Sequence, residues 1–297
     1  MSRLHLGMLV ALAAIWGAAF MLIEIALRDL APVSVAAGRI LFAALTLTLI
    51  ALVRRADVLP GLRRNVVPLG IAAVLNTTVP FILIPLGQTK IDSGTAAILN
   101  AAAPLFTVLF AAVAMHSERV TGLRLAGFLL GFGGVALVVG AEPGEGTGAV
   151  LGALAVVLAA AFYAVGALFT SSRLRGLPAL EIALGTMAWA TVLTLPPGLV
   201  ALRGHELGWE AGASVLALGV VATGIAYLLY FGLIAGAGPS TAILVTYLVP
   251  ATALVYAATL LDEPVGAQQV AGLALVLGGV ALGTGAVRRR QPATVRT

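Results

Sequence analysis

Cysteine is absent from the 297 residues, lysine occurs once, at position 90, and charged residues amount to only 10%. Without cysteine there are no disulfides, thiolate metal sites or thiol nucleophiles. Histidine is nearly as scarce, and His5, His116 and His205 all fall at polar joints or at the N-terminal edge. HELGW from His205 lacks the second histidine of a zinc helix, and GEGTG from Gly144 follows no strand that would make it a nucleotide loop. No catalytic set, metal site or cofactor is expected, so the chain is not read as an enzyme.

The shortage of charge excludes a water-soluble domain. Such domains carry about 25% charged and about 45–50% apolar residues, whereas this chain is 61% hydrophobic, with a mean hydropathy of +1.09. It cannot cover its own surface with polar groups, so the expectation is an all-α integral membrane protein in contact with the lipid bilayer. The pI near 10.2 does not signal nucleic acid, because the basic residues are scattered over short joints with no stripe or aromatic-interleaved patch.

A helix needs about 20 apolar residues to cross a bilayer. Ten segments qualify: residues 4–26, 32–53, 66–87, 94–115, 121–139, 149–170, 178–200, 212–234, 240–261 and 267–287. The first lacks a small-residue cleavage site before the next joint and is read as a retained span. Counted alternately from a cytoplasmic N-terminus, thirteen of the 17 basic residues fall on inside segments and three outside, with Arg39 inside a span. The excess of arginine inside predicts that both termini are cytoplasmic.

The chain also repeats itself. ERVTGLRLAGFLLGFGGVAL from Glu118 aligns without a gap to EPVGAQQVAGLALVLGGVAL from Glu263, at an offset of 145 residues. Leu6–Gly7 recurs as Leu151–Gly152, Leu69–Gly70 as Leu218–Gly219, Thr95–Ala96 as Thr241–Ala242, and Pro32 and Pro104 as Pro178 and Pro250. Each half holds five spans, and an odd number forces the second half to enter the membrane upside down. The organisation expected is therefore a first five-helix repeat over 1–143, a second, inverted repeat over 144–290, and a cytoplasmic tail over 291–297. Inverted repeats can pack in two equivalent ways around a site near the bilayer midplane, which is the logic of alternating access.

Ten helices in two such repeats, each pairing an early proline with a later glycine-rich helix ending GGVAL, resemble the EamA-type branch of the drug/metabolite transporter superfamily. Trp16–Gly17 and Arg39 in the second helix fit the same resemblance, which covers nearly the whole chain. It implies a multi-pass carrier of the bacterial inner membrane that exports amino acids, aromatic ones among them, or similar metabolites. Multidrug carriers of the same fold and a passive channel are the alternatives, and a monomer is allowed. The second half departs from the first where Gly185 stands in the place of Arg39, which rules out a paired role for two arginines.

Several polar and aromatic residues fall near the centres of their spans. Asparagine in hydrocarbon needs partners, so Asn76 and Asn100 should face the bundle interior. Trp16, Tyr163, Tyr227 and Tyr247 lie away from the interfacial belts where membrane aromatics concentrate. These six are the candidate substrate-binding residues, in a cavity suited to a small neutral or zwitterionic solute. Glu24 and Arg39 are the two charges clearly inside spans, and a structural or gating ion pair between them is expected. Glu118 and Glu263 are expected to cap the helices that follow them, with Pro264 at a first helical position. The prolines at 80, 85, 104 and 250 should free backbone carbonyls inside the membrane.

Overall fold

The computed structural model describes residues 2–115, 122–141, 146–203 and 207–284. His116, Glu118, Gly144, Glu145, His205 and the tail 291–297 lie outside them. Every regular element among the described residues is a helix.

Eight helices are long and apolar enough to cross a membrane. These are α1 (Arg3–Leu27), α2 (Pro32–Val53), α3 (Val66–Gln88), α4 (Ser93–Ala112), α5 (Leu123–Gly140), α6 (Thr147–Arg173), α7 (Ala179–Leu202) and α8 (Trp209–Ala237). Two shorter apolar helices follow, α9 (Val245–Leu260) and α10 (Ala267–Gly283). A short turn of helix at Leu59–Arg64 lies between α2 and α3. Each of the ten segments expected from the sequence thus carries a helix, although the last two are shorter than a full span.

The helices are held by a core of small residues. Ala36, Ala43, Ala96, Ala153 and Ala160 are fully buried, while Leu49, Leu52, Leu129, Leu151, Val192 and Val200 point outward. Apolar faces turned out and small residues turned in suit a bundle solvated by lipid, where close backbone approach supplies the association energy. The clearest case joins α5 to α10. A Cβ on Gly279 would run into the Gly131 backbone, and one on Gly127 would meet Gly279 O and Leu282 Cβ at 2.8 and 2.9 Å. Helices α5 and α10 are the repeated GGVAL segments, so the two copies pack on each other.

Packing between the halves follows a reciprocal pattern. Helix α2 packs on α7, α1 on α9 and α4 on α6, α3 on α6 and α1 on α8, α2 on α8 and α3 on α7. Exchanging each helix for its counterpart five places along returns the same set of contacts. The joints alternate likewise: Asp29 accepts from the Gly208 N–H and Arg28 pairs with Glu210 at 3.7 Å, whereas Gly61 meets Glu181 and Leu177 at the opposite end. The halves therefore interlock rather than stand side by side.

Regular helix gives way at matching depths. Helix α3 contains a π turn at Val74–Thr78 and α8 one at Val220–Ile225. In α3 the cause is local: Pro80 has no N–H to offer, and the Val79 N–H reaches back to Val74 O. Helix α4 is interrupted after Asn100 and resumes at Ala103, where Pro104 cannot donate to the Asn100 carbonyl. A turn likewise separates Pro239–Ala242 from α9.

The α5–α10 seam predicts a contrast between neighbouring glycines. Gly279→Leu should cost about 1–3 kcal/mol through overpacking, whereas Gly133→Ala, which meets nothing within 4 Å, should leave stability unchanged. Thermal unfolding of the two purified variants in one detergent measures the difference.

Candidate functional site

Arg39 sits seven residues into α2, roughly 10 Å along its axis, and is half-buried. Its Nε–H donates to Thr223 Oγ1 at 3.0 Å, and its guanidinium carbon stands 3.9 Å from the centroid of the Phe81 ring. Thr223 belongs to the α8 π turn, and its hydroxyl donates to Leu218 O, five residues back, at 2.9 Å. The irregular backbone thus positions the hydroxyl that orients the arginine. Tyr163 on α6 and Tyr227 on α8 are its nearest electrostatic neighbours, and both pack on the apolar cluster of Ile40, Phe81 and Met187. Among the described residues no carboxylate pairs with Arg39.

An array of rings leads away from this point along α8. Tyr227 and Phe231 have centroids 5.9 Å apart, Phe231 and Tyr230 6.1 Å, and Tyr230 and Trp16 5.4 Å. All four are half-buried. Trp16 is anchored where its Nε1–H donates to Ala222 O at 3.1 Å, a carbonyl of the same π turn. A cation, three tyrosines and the rings of Trp16, Phe81 and Phe231 are thereby brought together within the bundle.

The structure divides the six candidate residues. Trp16, Tyr163 and Tyr227 belong to this central group. Asn76 lies against Gly166 on α6, and its Nδ2 donates to Thr170 Oγ1 at 3.1 Å, which makes it a tie between α3 and α6. Asn100 ends the first part of α4 with Oδ1 buried and without a partner. Tyr247 is directed toward the end of α10, with its hydroxyl 3.5 Å from Thr284 Oγ1. The group gains Phe81, Thr223, Tyr230 and Phe231. The i, i+3, i+4 spacing of Tyr227, Tyr230 and Phe231 on one helix face was the available signal for the last two.

Two expectations about charge are corrected. Glu24 and Arg39 do not pair: Glu24 accepts from Gln88 Nε2 at 3.5 Å, while Arg39 turns to α8. Neighbouring helices carry the two charges, but they face different partners. Glu263 does not cap its own helix either, because α10 starts only at Ala267, where Gly266 N–H meets Gln269 Oε1. Its carboxylate instead accepts the Ser93 and Gly94 N–H groups, both at 3.1 Å, at the start of α4 in the other half. That is a cap across the repeat boundary, favoured by the positive end of the helix dipole. Glu118 lies outside the described residues.

A separate cavity of about 230 Å³ opens between α2, α7 and the start of α8, lined by Leu30, Gly38, Phe42, Leu199 and Val215 among others. Its walls are mostly apolar, and Arg39, Trp16, Tyr163 and Tyr227 are not among the residues that line it.

The model of the EamA-like transporter family matches residues 4–140 and again residues 150–284. An uncharacterized transporter of Archaeoglobus fulgidus is 26% identical over 89% of this chain and 93% of its own length. A "Probable terminal-alkyne amino-acid exporter" of Streptantibioticus cattleyicolor is 31% identical over 68% of this chain and 67% of its own length. A solved crystal structure superposes with a TM-score of 0.69, covering 98% of this chain and 100% of the other at 20% identity, which shows that the fold is shared.

The cross-boundary cap gives a direct expectation. Glu263→Ala should cost about 0.5–2 kcal/mol, and a substitution in the second half should loosen the first turn of α4. Amide hydrogen exchange at Ser93 and Gly94 in the variant checks it. Asp92, in the same joint, is held above its ordinary carboxyl value by burial and, second, by the Glu263 carboxylate. A raised folded-state value stabilises at low pH and loses that contribution as pH rises through it, so Asp92→Asn should unfold no earlier than wild type at neutral pH.

Proposed function

The chain belongs to the EamA-like transporter family, and on that premise we propose that it exports amino acids across the bacterial inner membrane by alternating access. The observation that carries the substrate class is Arg39: a cation within the bundle, oriented by Thr223 and Phe81 and unmatched by a carboxylate among the described residues. A solute carboxylate supplies the missing charge, and charge-assisted bonds to guanidinium are among the strong ones. The rings of Tyr163, Tyr227 and Phe231 then receive an apolar or aromatic side chain. The named amino-acid exporter among the relatives supports the same class.

The reciprocal packing of the halves supports reading them as inverted five-helix repeats, and the excess of arginine on alternate joints supports cytoplasmic termini. Helix α1 ends, and its counterpart α6 begins, at the one end where Lys90 stands beside Gly152. Exchange of the two half-packings opens the Arg39 group to either side in turn. The π turns and the break in α4 let that exchange proceed where side chains can take up the freed carbonyls.

Counterflow of labelled phenylalanine in proteoliposomes tests the reading. Unlabelled phenylalanine should exchange with it, and phenethylamine, which lacks the carboxylate, should not. Arg39→Gln should weaken phenylalanine binding by roughly 1.5–3 kcal/mol, and Tyr163→Ala should impair exchange while the protein still inserts. Equal exchange of the amine and the amino acid would overturn the assignment.

A further inference from the structure

At the end of the bundle opposite the N-terminus, three carboxylates from three parts of the chain share one corner. Glu24 comes from the last turns of α1, Asp92 from the joint before α4, and Glu263 from the segment before α10; each is half-buried. Glu263 is accounted for by its two bonds to the start of α4. Glu24 is not: among the described residues its bond is the long one from Gln88 Nε2, at 3.5 Å.

Gln88 is 4% exposed, and its Nε2 is fixed by a bond of 2.9 Å to Phe20 O on α1. Its Oε1 is buried with no donor. A buried amide oxygen left without a partner costs about 1–3 kcal/mol. Ser93, 1% exposed, leaves its Oγ without a partner in the same corner. The Gln88 amide thus presents an acceptor lacking a donor beside a carboxyl that would become a donor on taking up a proton.

The internal repeat argues that this corner is not a by-product of the fold. On the alignments of the doubled segments, Glu24 falls opposite Phe169, Gln88 opposite Ala237 and Asp92 opposite Gly238. The other half has no polar side chain at any of the three places. Of the three carboxylates only Glu263 has an acidic counterpart in the sequence, Glu118.

We propose that Glu24 and Gln88 form a proton-binding site, in which the carboxyl of Glu24, once protonated, donates to Gln88 Oε1 and ties α1 to α3. The proton is taken from water at that end of the bundle and returned to it, and no other bond changes. Ionised, Glu24 has only the weak Nε2 contact; protonated, it also satisfies the orphan oxygen, so proton uptake favours the packing seen here. The charged and titratable groups on the surrounding elements are Arg28 and Asp29 after α1, Lys90 and Asp92 in the next joint, Glu210 on α8, Tyr256 on α9, and Asp262 and Glu263 before α10. Arg28 acts on Glu24 through space but is paired with Glu210 at 3.7 Å, and Lys90 extends over Gly148 and Gly152 of α6.

Infrared difference spectroscopy of the purified full-length protein, titrated with acid and base, reads the site without any solute. Wild type should show a protonated-carboxyl C=O band that appears on acidification. That band should be lost in Glu24→Gln and shifted to higher frequency in Gln88→Leu, where its hydrogen-bond acceptor is gone. Circular dichroism at each pH verifies the fold, and the Gln88→Leu arm decides the matter should Glu24→Gln not fold. A band unchanged in either variant, or no such band at any pH where the protein is folded, overturns the proposal. Because no transport is measured, failure of the amino-acid assignment would leave this result untouched, and the reverse.

Discussion

An arginine inside an apolar bundle cannot be left to itself. Its charge must be met by a carboxylate, by dipoles and aromatic faces, or by a ligand. Here the first is missing among the described residues, and the second is arranged with some care. Thr223 fixes the Nε–H, Phe81 lies under the guanidinium plane, and two tyrosines flank it. Those contacts hold the side chain in place but leave its charge without a negative partner among the described residues, and on the proposed reading that partner is the carboxylate of the solute.

The same region shows why the surrounding backbone departs from regular helix. In hydrocarbon every N–H and C=O needs a partner, so a π turn survives only where side chains serve the groups it releases. In α8 the Trp16 indole takes Ala222 O and the Thr223 hydroxyl takes Leu218 O. One irregularity therefore anchors a ring at one side of the site and orients the cation at the other. The tight glycine seam between α5 and α10 needs no such help and forms a uniform support away from the centre.

Much of the architecture was legible in the sequence, because span length and the doubled motifs are local properties. The segments expected at 4–26 and 32–53 correspond to Arg3–Leu27 and Pro32–Val53. Proline marked the irregular places in α3 and α4, but nothing local marked the π turn in α8, which contains none. The site was half legible. Polarity at mid-span singled out Trp16, Tyr163 and Tyr227, but it could not say which way a side chain turns. Asn76 and Tyr247 satisfy neighbouring helices instead, and Glu24 and Arg39 face apart although they lie on consecutive helices. The partners of Trp16 and Arg39 are 206 and 184 residues away, and Glu263 caps a helix of the other half. Such pairings are set by how the two halves interlock, which no window of sequence contains.

A structure determined with phenylalanine bound tests the central claim most directly. In that complex the carboxylate should lie on the terminal nitrogens of Arg39, with the ring among Tyr163, Tyr227 and Phe231. Phenylalanine seated elsewhere, or Arg39 paired with a carboxylate of the protein itself in that complex, would contradict it.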